Sequence, residues 1–99
     1  MYKTKKTDIF TKWHTALKDL RAKIAIGRGI DKMAQGNFGK SEPIGEGVSE
    51  FKIDVGPGYR IYYTLQNKEI IILLIGGDKS TQQRDINKAK EMAKEYKNG

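Results

Sequence analysis

The chain contains no cysteine, which excludes disulfides and thiolate metal sites and removes any basis for a stapled secreted scaffold. Long apolar runs are missing as well. The longest, Ile70 to Ile75, is far too short to cross a bilayer, and the charged start MYKTKKTDIF has no apolar segment behind it. A cytoplasmic protein without membrane association is the expectation. The single histidine, His14, has no second His or Cys at ligand spacing, so its expected place is structural, beside Phe10 and Trp13, and neither a metal nor another cofactor is expected. The glycines of GPG and GGDKS lack the spacing of a Walker loop, and no serine has a candidate base nearby in the pattern, which disfavours nucleotide hydrolysis and serine chemistry.

Acidic residues are outnumbered by basic ones. Nineteen Lys and Arg stand against twelve Asp and Glu, a net charge of +7, and such an imbalance raises the local concentration of polyanions. A nucleic acid or an acidic protein is the implied partner. The 99 residues have room for one hydrophobic core, so a single domain over residues 1–99 is expected.

Hydrophobic spacing divides the chain into elements. YKTKK at 2–6 suits a short edge strand, where lysines discourage pairing with other chains. Ile9, Phe10, Trp13, Ala16, Leu17 and Leu20 recur at helical intervals with Thr7 or Asp8 placed as a cap, and Ile24, Ile26, Ile30 and Met33 predict a second helix over 21–35 despite Gly27 and Gly29. The two helices are expected to form an antiparallel hairpin. After a turn-rich passage the period becomes two: Phe51, Ile53 and Val55 alternate with polar residues, GPG breaks the run, and strands follow over 59–65 and 69–75. Gly76-Gly77-Asp78-Lys79 is expected to end the last strand. Ser80 and Gln83 match a reciprocal capping box for a final helix from about Thr81 to Tyr96, with Ile86, Ala89, Ala93 and Tyr96 on its buried stripe and Lys88, Lys90, Lys94 and Lys97 in water. The fold class is α+β: a helical hairpin on a small, mainly antiparallel sheet, with a C-terminal helix.

If Phe51, Ile53, Ile61 and Tyr63 face the core, the two-residue period puts Lys52, Arg60, Tyr62 and Thr64 on the opposite face. Lys79 and Arg84 can join them from the following turn and helix. Arginine forks hold phosphate oxygens and an exposed tyrosine can stack on a base, so this face suits RNA, with Tyr62 and Arg84 as binding residues. Ordinary ion pairing on a solvated sheet face is the competing reading, and Glu50 and Asp54 are expected to be ion-pair neighbours of Lys52.

Several segments carry a family resemblance: F-x-x-W at Phe10 to Trp13, L-x-D at Leu17 to Asp19, GNFG at 36–39, GVSE at 47–50, GPGYRIYY at 56–63 and LLIGGDKSTQ at 73–82. Together they resemble the addiction-module killer proteins, a HigB-like, phage-associated branch of the RelE/ParE toxin superfamily. The resemblance implies a toxin of a type II toxin-antitoxin pair, restrained by a cognate antitoxin with a helix-turn-helix domain and reaching operator DNA only through it. RelE-like and HigB-like members cut messenger RNA, commonly on the ribosome; ParE-like members poison DNA gyrase. The shared fold does not choose between these.

By the same resemblance, Arg60 matches the strand arginine that ribonuclease members use near the scissile phosphate, Lys52 the basic position on the preceding strand, and Lys79 a further catalytic cation. A metal-independent endoribonuclease with Arg60, Lys52 and Lys79 as catalytic residues is the expectation. The best-known members also carry a tyrosine after their last strand, whereas this chain continues into a helix that holds Tyr96, and the general base stays open.

Overall fold

The Thr7 hydroxyl accepts from Phe10 N at 3.0 Å and donates to the Leu74 carbonyl at 2.7 Å. One side chain thus caps helix α1 (Asp8–Ala16) and ties its start to the middle of the sheet. These contacts belong to a computed structural model, which describes residues 1–96. Before the helix lies strand β1 (Lys3–Lys6), exposed at each of its residues, as the lysines predict for an edge. Helix α1 ends earlier than the sequence spacing suggests. Asp19 accepts from Arg21 N and Ala22 N and starts helix α2 (Leu20–Ala34), so Leu20 opens the second helix and is exposed. His14 Nε2 donates to the Lys23 carbonyl at 3.1 Å, which joins the two helices.

Strands β2 (Ser41–Gly45), β3 (Val48–Ile53), β4 (Tyr59–Gln66) and β5 (Ile70–Asp78) complete a sheet of order β1-β5-β4-β3-β2, in which only the β1–β5 pairing is parallel. Strand β2 occupies part of the passage whose composition suggests turns alone. Pro43 is tolerated there because the strand lies at an edge and is interrupted by a register shift. Helix α3 (Gln82–Ala93) follows a 3-10 turn (Lys79–Thr81), and a second such turn spans Lys94–Tyr96.

The sheet is covered on both faces. Phe10, Ala22, Ile26, Ile30 and Met33 from α1 and α2 meet Phe51, Ile53, Ile61, Tyr63 and Leu73 on one side. On the other side, Ala89 and Ala93 of α3 meet Val48, Tyr62, Ile72 and Leu74. A bulge between Tyr62 and Tyr63 leaves Leu74 between the partners Ile75 and Leu73 and shifts the alternation of β5. That strand is buried on both faces through 71–74, as its continuous apolar run predicts.

Two expectations about the end of β5 need correction. The strand runs through Gly76 and Gly77 to Asp78 because both glycines admit close neighbours from opposite layers. A Cβ on Gly76 would lie 2.2 Å from the Trp13 ring, and one on Gly77 would lie 2.0 Å from Asp85 Oδ2. The capping box does not form. Asp78 instead accepts from Ser80 N at 2.8 Å, the 3-10 turn intervenes, and Thr81, at the N-cap of α3, donates its hydroxyl proton to Asp85 at 2.6 Å. Lys88 and Lys94 are exposed as expected, Lys90 is half-buried, and Lys97 lies outside the described residues.

Candidate functional site

Strand register brings three positions into one row across the sheet: Lys52 on β3 opposes Arg60 on β4, which opposes Gly77 on β5. At the end of this row the chain turns from β3 to β4 through Val55–Gly58, closed by Gly58 N donating to the Val55 carbonyl at 3.1 Å. Gly56 and Gly58 have φ of 57° and 83°, left-handed values that favour glycine. Asp78 opens the 3-10 turn after β5 and places Lys79 beside the same end of the sheet. The result is an open cleft of about 340 Å³ lined by Lys52, Asp54, Tyr59, Arg60, Lys79 and the glycine-proline turn.

Arg60 and Lys52 are half-buried and Lys79 is exposed; the Arg60 side chain is 13% exposed and that of its partner Glu50 4%. Its Nε lies 3.6 Å from Glu50 Oε2 and has no hydrogen-bond partner among the described residues. Glu50 is fixed from two further directions. Tyr62 Oη donates to Glu50 Oε2 at 3.1 Å and Gln82 Nε2 donates to the same oxygen at 3.0 Å. Glu50 and Tyr62 are direct cross-strand partners, while Gln82 is the first residue of α3. The carboxylate therefore joins β3, β4 and α3 behind the guanidinium. Burial, and then the Glu50 carboxylate, push the Tyr62 phenol well above its ordinary range.

The sequence-derived set is thus divided. Lys52, Arg60 and Lys79 share the cleft. Tyr62 does not. It is fully buried under α3, so it cannot stack on a base, and the prediction of an exposed aromatic is corrected. The cause is that α3 packs over Tyr62 and leaves the Lys52 and Arg60 end of this face open. Arg84 is exposed on the first turn of α3, 3.8 Å from Asp85 Oδ1, and does not line the cleft.

The acidic residues are also reassigned. Glu50 pairs with Arg60 and not with Lys52, and Asp54 pairs with Lys40. The hydrogen bond and charge of Lys40 lower the Asp54 pKa below the usual carboxylate value, so Asp54 stays ionised at the cleft edge. The sequence reading named neither Glu50 nor Gln82 as a site residue. Both lie in segments that carried the resemblance, GVSE and GGDKSTQ, but nothing in a linear pattern joins positions 32 residues apart.

A glycine-proline turn, a strand arginine and a lysine after a double glycine frame this cleft, and the comparison with known families covers all of them. Residues 12–97 match the family described as Phage derived protein Gp49-like (DUF891). The chain belongs to the Gp49-like family. This is a toxin-type family of the RelE and HigB kind. The chain is also 47% identical over 91 residues to an uncharacterized protein of Haemophilus influenzae, an alignment that covers 92% of each chain. Among the described residues of this Gp49-like protein, no helix is long and apolar enough to cross a membrane.

Proposed function

We propose that the protein is the toxin of a type II toxin-antitoxin pair and acts as a metal-independent endoribonuclease on messenger RNA at the ribosome, within the HigB-like addiction-module killer branch of the RelE/ParE superfamily. The observation that carries this reading is the convergence of Lys52, Arg60 and Lys79, from three separate segments, on one open cleft. Cations held around a phosphodiester stabilise the charge that develops when the adjacent 2′-hydroxyl attacks phosphorus. The new bond joins the 2′-oxygen to phosphorus, the bond to the 5′-oxygen breaks, and the products are a cyclic phosphate and a free 5′-hydroxyl.

Arg60 and Lys52 serve as the electrostatic pair. Arg60 is held by Glu50, so little side-chain ordering remains to be done when RNA binds. Lys79, exposed at the cleft rim, carries a proton to or from the reacting oxygens. Tyr62 acts from behind, as a support for Glu50. The antitoxin is a small helix-turn-helix protein that covers the toxin and alone contacts operator DNA.

The test is primer extension on messenger RNA from a coupled translation reaction, with the protein, its Arg60→Ala variant and a control without ribosomes. New 5′ ends that require both Arg60 and ribosomes support the reading. Intact RNA together with arrested growth replaces it with a toxin that works by binding, such as a gyrase poison.

A further inference from the structure

Beside the cleft runs a second groove of about 400 Å³ between α2 and β3, lined by Arg28, Lys32, Lys40, Phe51, Lys52 and Asp54 among others. Lys52 and Asp54 line both depressions, so the two are continuous. Arg28 and Lys32 are exposed, and their spacing of four puts them on one face of α2. Counting both depressions, six cations face one carboxylate, and that carboxylate, Asp54, is paired with Lys40. The charge of the chain is therefore not spread evenly. A groove at the other side of the molecule, lined by Glu46, Asn87, Lys90, Glu91 and Lys94, balances two carboxylates against two lysines.

We infer that the α2–β3 groove is a binding track for single-stranded RNA, holding the phosphates that flank the one in the Arg60 cleft; this rests on the ribonuclease reading above. A phosphodiester chain carries one charge per nucleotide, so a strand with one phosphate at Arg60 delivers the next charges along the groove toward Lys40, Lys32 and Arg28. The charge of the rim favours RNA over an apolar protein segment. Phe51 is only 7% exposed, because Gly29 and Gly39 approach its ring so closely that a Cβ on either would lie 2.7 Å or 3.0 Å away. The lining as a whole is still more apolar than polar, and what sets the occupant is the rim, where Arg28, Lys32, Lys40 and Lys52 stand against the single carboxylate of Asp54. Phosphate contacts of this kind position a strand without reading its sequence.

The track is tested with a non-cleavable RNA oligonucleotide, carrying 2′-deoxy sugars, whose affinity for the protein is measured as a function of salt. The variants are Arg28→Gln with Lys32→Gln, and a control of equal charge, Lys88→Gln with Lys94→Gln, exposed on α3 and on the 3-10 turn that follows it. Each lost phosphate contact lowers the slope of log affinity against log salt by about 0.7 for a single strand, so the groove variant should lose about 1.4 and the control nothing. In cleavage assays the groove variant should raise KM and leave kcat unchanged. An unchanged slope, an equal loss in the control, or a loss confined to antitoxin binding overturns the track. A wild-type protein that cleaves while the groove variant keeps its slope removes the track alone. A protein that never cleaves but loses slope with the groove variant removes the ribonuclease reading and leaves an RNA-binding groove.

Discussion

Glu50 Oε2 lies 3.6 Å from Arg60 Nε, and both side chains are largely withdrawn from water. Glu50 is the better satisfied of the two, since Tyr62 and Gln82 both donate to it, while Arg60 Nε has no acceptor among the described residues. An unmet buried donor costs about 1–3 kcal/mol, and the neighbouring carboxylate offsets part of that through charge. The arrangement keeps the guanidinium at the cleft in a single place without consuming all its donors.

Removing the carboxylate should therefore be expensive. Glu50→Ala leaves a largely buried guanidinium unpaired and should cost about 3–5 kcal/mol, read from urea unfolding. Tyr62→Phe keeps the buried ring and loses one hydrogen bond to a charged group, a cost of about 1.5–3 kcal/mol. Because Tyr62 is buried, its variant should keep any RNA affinity in proportion to the folded fraction. A Tyr62→Phe protein that is as stable as wild type but fails to bind RNA would contradict the buried placement.

The double glycine at the end of β5 gives a second prediction. Gly76→Ala and Gly77→Ala each force a methyl group into Trp13 or into the Asp85 carboxylate, and overpacking of this kind costs about 1–3 kcal/mol or more. Gly27→Ala is the contrasting case. Its Cβ would meet nothing within 4 Å, it lies within α2, and the change should stabilise by up to about 1 kcal/mol. Thermal unfolding of the three variants separates these outcomes. Equal melting temperatures for Gly27→Ala and Gly77→Ala would refute the close approach of Asp85.

Asp78 gives a prediction in pH. The Ser80 hydroxyl, then the Ser80 main-chain N–H, lower its pKa below the ordinary 3.8. The folded chain thus binds this proton less readily than the unfolded chain, so the stabilisation is complete above about pH 4 and is lost as pH falls through the folded-state value. Ser80→Ala should destabilise the protein at pH 7 and have less effect at pH 3, by urea unfolding at the two pH values. A difference of the same size at both would show that the Ser80 contact does not depend on the charge of Asp78.

Much of this protein is legible along the chain, and the physical reason is periodicity. The helical stripe of Phe10 and Trp13, the alternation of Phe51 and Ile53, and the continuous run through 71–74 each state which face is buried before any neighbour is known. The α+β class, the edge position of β1 and the candidates Lys52, Arg60 and Lys79 all follow from local spacing or from motif resemblance. Strand β2 was hidden because proline and glycine, which read as turn residues, are acceptable on an edge.

What the tertiary structure alone decided is which layer covers which half of the sheet. The two-residue period puts Arg60 and Tyr62 on the same face, yet α3 covers Tyr62 and leaves Arg60 at the cleft, because the helix begins only after the 3-10 turn beside Gly77. The same placement brings Gln82 to Glu50 across 32 residues and turns an expected surface ion pair into the support behind Arg60. Spacing along one strand specifies a face. Only packing against another element determines whether that face meets water, a ligand or a helix.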